Sequence, residues 1–301
     1  MTHPFFAARR PQVFAHRGGS ALAPENTITA FDRGLEVGAD GLELDVHLSR
    51  DGVVVVHHDR TLERTTNLTG PVASRTADEL AHSDAGYSFR RVQKYPPYTT
   101  DVGRVLLDPA VDSSGTRDAG LAPPNSTADF PFRGRGVNIP TLAAVLQRYR
   151  DVPIVVELKV NRAEMARAVV EVVRRADAVD RVCLGSFGWR VLREVRRLEP
   201  AIATSAAREE VRWALYRSWC RWPARRVKYS GYQVPERSGR TRVVSRQFVA
   251  DSHAAGLGVQ VWTVDAEADA DRLLGWGVDA LITDRPDIIV PFARRRGLVR
   301  D

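Results

Sequence analysis

Eight short apolar runs, separated by segments of helical periodicity, constrain this chain more than any other feature. The runs lie at 12–16, 41–46, 152–158, 181–186, 201–205, about 228–234, 258–264 and 279–284. Most are apolar without alternation, as strands buried on both faces are. Helical patterns fall between them: "TITAFDRGLEVG", read as capped by Asn26, "LAAVLQRYR", capped by Thr141, and four more, several of which stop at Gly. Strand and helix alternating through eight units predict an α/β fold, a (β/α)8 TIM barrel. A chain of 301 residues with 44% hydrophobic side chains suits one such barrel. With no internal repeat and no linker, residues 1–301 read as a single domain. One region breaks the rhythm. Residues about 90–138 are rich in Pro, Gly, Ser and Asp and show no periodicity, so they read as a long loop insertion, a lid or surface excursion.

The amino-terminal stretch "MTHPFFAARRPQVFAHRGG" holds no sustained apolar segment of the secretory kind, and no apolar run reaches membrane-spanning length. A soluble, cytoplasmic protein is the expectation. Cys183 and Cys220 stand far apart in unlike contexts and read as reduced thiols. Basic residues exceed acidic ones by 44 − 37 = 7, which favours anionic substrates or surfaces without choosing among phosphate esters, lipid and nucleic acid.

In a barrel of this type, chemistry gathers at the carboxyl ends of the strands. The first run ends in His16-Arg17-Gly18-Gly19. The second carries Glu43 and Asp45 two positions apart, hence on one face, and the third ends in Glu157-x-Lys159. Three carboxylates from neighbouring strands form a hard oxygen donor set suited to Mg²⁺, Ca²⁺ or Mn²⁺ rather than zinc. Arg17 and Lys159 add the positive charge a phosphate needs. His16 and His58 remain for proton transfer. His57 competes with His58, and alternation lets only one of the two face the barrel mouth. Trp262, at the end of a late strand, is a candidate substrate contact, with a core position as its rival.

The block from Phe14 to Gly70 contains, in order, the HRG turn, the PENT turn, the E-x-D strand, the DG hairpin and the HD-x-x-L-x-R-T-T segment. It resembles the amino-terminal block of the glycerophosphodiester phosphodiesterase family. "IPTLAAVL", "VPIVVELK", "VQVWTVD" and "GVDALITDRPD" extend the resemblance over nearly the whole chain, most weakly in 90–130 and 206–240. The resemblance implies a TIM barrel that cleaves glycerophosphodiesters to glycerol 3-phosphate and an alcohol with a divalent metal. It implies Glu43, Asp45 and Glu157 as metal ligands, His16 and His58 as the acid/base pair, and Arg17 and Lys159 as phosphate contacts. In such enzymes the glycerol 2-hydroxyl is held to attack first, giving a cyclic phosphate that water opens. Asp265 stands where an Asn is common in the family, a departure that bears on substrate choice.

The same barrel also admits a lysophospholipase D-type activity, if its mouth accepts an acyl chain. A non-catalytic binding protein is the remaining alternative, but none of the expected ligands or histidines is lost. The stretch 212–229 interleaves Trp213, Trp219 and Trp222 with arginines and Lys228. It is read as an outer barrel helix whose aromatics face the core and whose arginines reach into water. That reading predicts a stability cost for Trp213→Ala and disfavours peripheral membrane contact. No nucleic-acid-binding motif accompanies the charge. The expected partner is a small-molecule glycerophosphodiester; the oligomeric state is not legible.

Overall fold

The computed structural model describes residues 2–8, 10–90, 130–222 and 227–297. Its sheet runs in sequence order through eight parallel strands: β1 (Gln12–His16), β2 (Gly41–Leu48), β3 (Ile154–Leu158), β4 (Val182–Gly185), β5 (Ala203–Thr204), β6 (Gly231–Pro235), β7 (Gly258–Trp262) and β8 (Ala280–Thr283). β8 pairs back onto β1, and a parallel bridge between Ser205 and Gly231 joins β5 to β6. This is a TIM barrel, and all eight expected strands are present. The helix after each strand returns the chain along the outside: α1 (Ile28–Glu36), α2 (Leu142–Arg148), α3 (Ala163–Arg175), α4 (Trp189–Leu198), α5 (Arg208–Trp219), α6 (Arg246–Ala254), α7 (Glu267–Leu274) and α8 (Pro286–Arg295). Between β2 and α2 the chain adds a strand, Val54–Val56, antiparallel to the end of β2. Most of the insertion expected at about 90–138, from 91 to 129, lies outside the described residues.

Two layers of apolar side chains hold the barrel. One lies between strands and helices, where Leu42, Leu44 and Val156 meet Met165, Val169 and Leu192. The other fills the interior with Phe14, Val155, Cys183, Ala203, Ala280 and Ile282. Phe5 and Phe6, on the turn Pro4–Phe6, close the bottom of this interior and are buried. Burying a phenylalanine contributes about 1.5–3 kcal/mol. The first residues of β6 and β7 make room for the ring: a Cβ on Gly231 or Gly258 would lie 2.7 or 2.4 Å from Phe6.

Two local expectations are corrected. α1 is capped by Thr27, whose hydroxyl accepts from the Ala30 amide, and not by Asn26; Thr141 caps α2 as expected. Asn26 has φ 59° and turns its side chain toward β2. The second correction concerns 212–229. α5 buries Ala214, Leu215 and Ser218, with Val211 half-buried, at helical spacing. Trp213, Tyr216 and Trp219 fall on the solvent side of that pattern and are 66%, 52% and 60% exposed. The small and aliphatic residues already supply the i, i+3, i+4, i+7 stripe that a barrel helix needs. The aromatics therefore do not face the core.

Candidate active site

Strand register assembles the site. β1 and β2 set His16 beside Glu43, and β2 and β3 set Asp45 beside Glu157. Glu43, Asp45 and Glu157 each offer an oxygen within 4.8 Å of the others'. Glu43 and Asp45 are buried, while Glu157 is partly open at the mouth. Lys159 Nζ lies 3.2 Å from both Asp45 and Glu157, and Arg17 Nε lies 3.3 Å from Asp45.

The HRG turn delivers Arg17 from β1. Arg17, Gly18 and Gly19 all have positive φ, and Arg17 N–H donates to Glu43 Oε2 at 3.1 Å. Gly18 is required by space as well as by φ, since a Cβ there would lie 2.6 Å from the α1 backbone at Ala30. Asn26, from the PENT turn, donates to Asp45 Oδ2 at 2.8 Å and accepts from the Asp45 amide. The turn thus fixes one carboxylate of the cluster, a role its sequence reading as a cap had missed.

The charges are unequally balanced. Burial opposes ionisation of Asp45, but Lys159 and Arg17 outweigh it and hold this carboxyl well below the usual range. Glu43 is pushed up to about 7 by burial and by the charge of Asp45. His16 and Arg17 favour the charged form of Glu43 but do not offset its burial and the neighbouring carboxylates. The three carboxylates fit a divalent cation, and the all-oxygen donor set suits a hard ion. Arg17 Nε is buried and, although 3.3 Å from Asp45, makes no hydrogen bond among the described residues.

Both candidate histidines are held through Nδ1 by an aspartate. His16 Nδ1 is 2.6 Å from Asp284, which also accepts from Ser20; His58 Nδ1 is 2.6 Å from Asp59, which is gripped by Arg64. A carboxylate on Nδ1 fixes the tautomer and leaves Nε2 for proton exchange. Burial disfavours the charged form of His16, but Asp284 and Glu43 prevail and raise it to about 9. His57 points elsewhere. It is buried with Nε2 3.0 Å from the Thr61 carbonyl, and burial lowers its pKa. Trp262 stands half-buried at the end of β7, above the interior cluster and edge-on to Phe187.

Asp265 accepts from Thr283 Oγ1 and from the Asp284 amide, so it sets the end of β8 that carries Asp284. Asp284, Glu25 and Arg64 were not singled out from the sequence. A groove of about 570 Å³, lined by Arg162, Trp189, Arg190 and Arg193 where α3 and α4 begin, does not include the acidic cluster. The acidic cluster, with His16, Arg17 and Lys159 against it, is the candidate site.

The sequence model of the glycerophosphoryl diester phosphodiesterase family matches residues 16–288. The chain belongs to this family. It is a phosphoric diester hydrolase of that class. A glycerophosphodiester phosphodiesterase from Caldanaerobacter subterraneus is 29% identical over 95% of this chain and 98% of its own length. One from Bacillus altitudinis is 30% identical over 92% and 95%. Among solved structures, an Oleispira antarctica phosphodiesterase in complex with the product sn-glycerol-3-phosphate superposes with a TM-score of 0.67. It is 26% identical and covers 95% of this chain and 97% of its own.

Glu25, in the family's PENT turn, is clamped by Arg17 at 3.0 Å and by two bonds from Arg64 at 2.7 and 2.8 Å. Burial works against its charge, but the two arginines win and lower its pKa from 4.5 to about 2. A depressed carboxyl adds stability that is complete above its unfolded pKa and is lost as pH falls through the folded one. Urea melts at about pH 5 and about pH 3 are expected to show a smaller loss for Glu25→Gln than for the parent protein, by on the order of 2 kcal/mol. Equal losses would mean that Glu25 titrates normally.

Proposed function

We propose that this enzyme hydrolyses glycerophosphodiesters to sn-glycerol 3-phosphate and an alcohol, with Glu43, Asp45 and Glu157 holding Mg²⁺, Ca²⁺ or Mn²⁺. The observation that carries this reading is the meeting of three carboxylates within 4.8 Å, flanked by Arg17 and Lys159, at the mouth of a barrel of this family. The product bound to the Oleispira protein supports glycerol 3-phosphate as the retained half. A bound divalent ion draws charge from the phosphoryl oxygens.

The remaining work falls to the protein's own side chains. Arg17 and Lys159 contact the phosphate and stabilise the charge that builds on it. His16 and His58 take the two sides of phosphorus. One removes the proton of the glycerol 2-hydroxyl as that oxygen attacks, and the other donates a proton to the departing alkoxide. A cyclic phosphate and free alcohol result. The histidines then exchange roles, and water adds to phosphorus as the 2-hydroxyl is re-formed. Trp262 lines the approach for the substrate.

A panel of glycerophosphocholine, glycerophosphoethanolamine, glycerophosphoglycerol and lysophosphatidylcholine, assayed with and without added Mg²⁺, tests the reading. Metal-dependent release of glycerol 3-phosphate from the deacylated diesters is expected. Turnover of lysophosphatidylcholine alone would replace it with the lysophospholipase D reading.

A further inference from the structure

α5 is unlike an ordinary barrel helix. Trp213, Tyr216 and Trp219 form an exposed ladder, edge to face with centroids 6.4 and 5.7 Å apart, and Trp222, just past the helix end, is 63% exposed. Seven large hydrophobic residues are exposed among the described ones, and these are four of them. Isolated exposed apolar residues are ordinary, whereas a contiguous group marks a contact surface. From 211 to 228 the charge has one sign, with Glu209 an exposed acid in the helix's first turn. Arg212, Arg217 and Arg221 lie within the stripe, Lys228 follows, and no acidic residue occurs from 211 to 228. Glu210, in the first turn, is engaged by Arg196.

We infer that this stripe is a docking surface for an anionic phospholipid bilayer. Tryptophan and tyrosine settle at the headgroup level, with an apolar body and a polar edge, while arginines beside them pair with lipid phosphates. A second copy of the chain is a poorer occupant, because a two-fold contact would set these arginines against their own images. Single-stranded nucleic acid is also poorer. Its sites are grooves whose aromatics offer free faces, and here the rings stack edge to face on a convex helix.

The location decides what docking would do. α5 starts at the mouth side after β5 and runs toward the bottom, so its aromatics occupy the barrel flank and lower rim. A bilayer held there leaves the mouth open to water. The docked enzyme reaches water-soluble diesters released by deacylation of phospholipids at that surface.

Co-sedimentation with vesicles of phosphatidylglycerol and phosphatidylcholine, against phosphatidylcholine alone, tests this. Binding is expected on the mixed vesicles, weakening as NaCl rises. Each of Arg212→Gln and Arg221→Gln is expected to lower the partition coefficient about fivefold. Trp213→Ala/Trp219→Ala/Trp222→Ala is expected to lower it more than about tenfold, with an unchanged thermal melt and unchanged turnover of glycerophosphocholine. Equal sedimentation with the neutral vesicles, or none with either, overturns the inference. So does a dimer in sedimentation velocity that the triple variant dissolves, or a shift of single-stranded DNA that it abolishes. Because turnover of a soluble diester is read separately, failure here leaves the catalytic reading standing.

Discussion

His58→Ala is expected to lower kcat by about two to four orders of magnitude, the usual loss for a general acid or base, while the melting curve stays in place. The side chain is partly open at the mouth, and its contact with Asp59 is the anchor that orients it. Asp59 keeps its grip on Arg64 in the variant, so the surrounding loop has its own support. His57→Ala is the control. Its ring is buried with Nε2 against the Thr61 carbonyl, and its loss is expected to cost about 1–3 kcal/mol of stability and little turnover. Steady-state kinetics and a melt on both variants separate the two roles. A large fall in kcat for His57→Ala with normal rates for His58→Ala would reverse the assignment.

Removing the divalent ion is expected to be as damaging. EDTA in excess should bring hydrolysis to background, and Mg²⁺, Mn²⁺ or Ca²⁺ should restore it. Glu43→Gln removes one of the three carboxylates that meet in the cluster, so the cluster is expected to lose metal affinity outright. Titration calorimetry with Mn²⁺ reads that loss without reference to turnover. An active, metal-binding Glu43→Gln protein would place the ion elsewhere.

Much of this was legible in the sequence because it depends on short-range periodicity. Buried parallel strands announce themselves as apolar runs, and a two-residue spacing puts Glu43 and Asp45 on one face in any strand. The partners of those residues were harder to see. Asp284 holds His16 from a strand at the far end of the chain, and only the pairing of β8 with β1 makes them neighbours. Glu25 and Arg64 meet only once the two loops above β1 and β2 fold over the mouth. Asn26 had the residue type of a cap, but Thr27 has it too and stands in the extended conformation a cap requires. On α5, composition suggested that tryptophans belong inside. The helical phase of Val211, Ala214, Leu215 and Ser218 said otherwise, and phase decides which side of a helix is dry.

Phe6 carries a consequence for the order of events during folding. It precedes every strand of the barrel, yet the space that receives its ring is shaped by Gly231 and Gly258, at the starts of β6 and β7. The Phe6 ring has no place to go until β6 and β7 have joined the sheet. Contacts of such long sequence separation form late, and apolar side chains that wait for them stay open to other partners. The segment ahead of β1 is thus housed only after β6 and β7 are in place, and its arrival seals the bottom of the barrel.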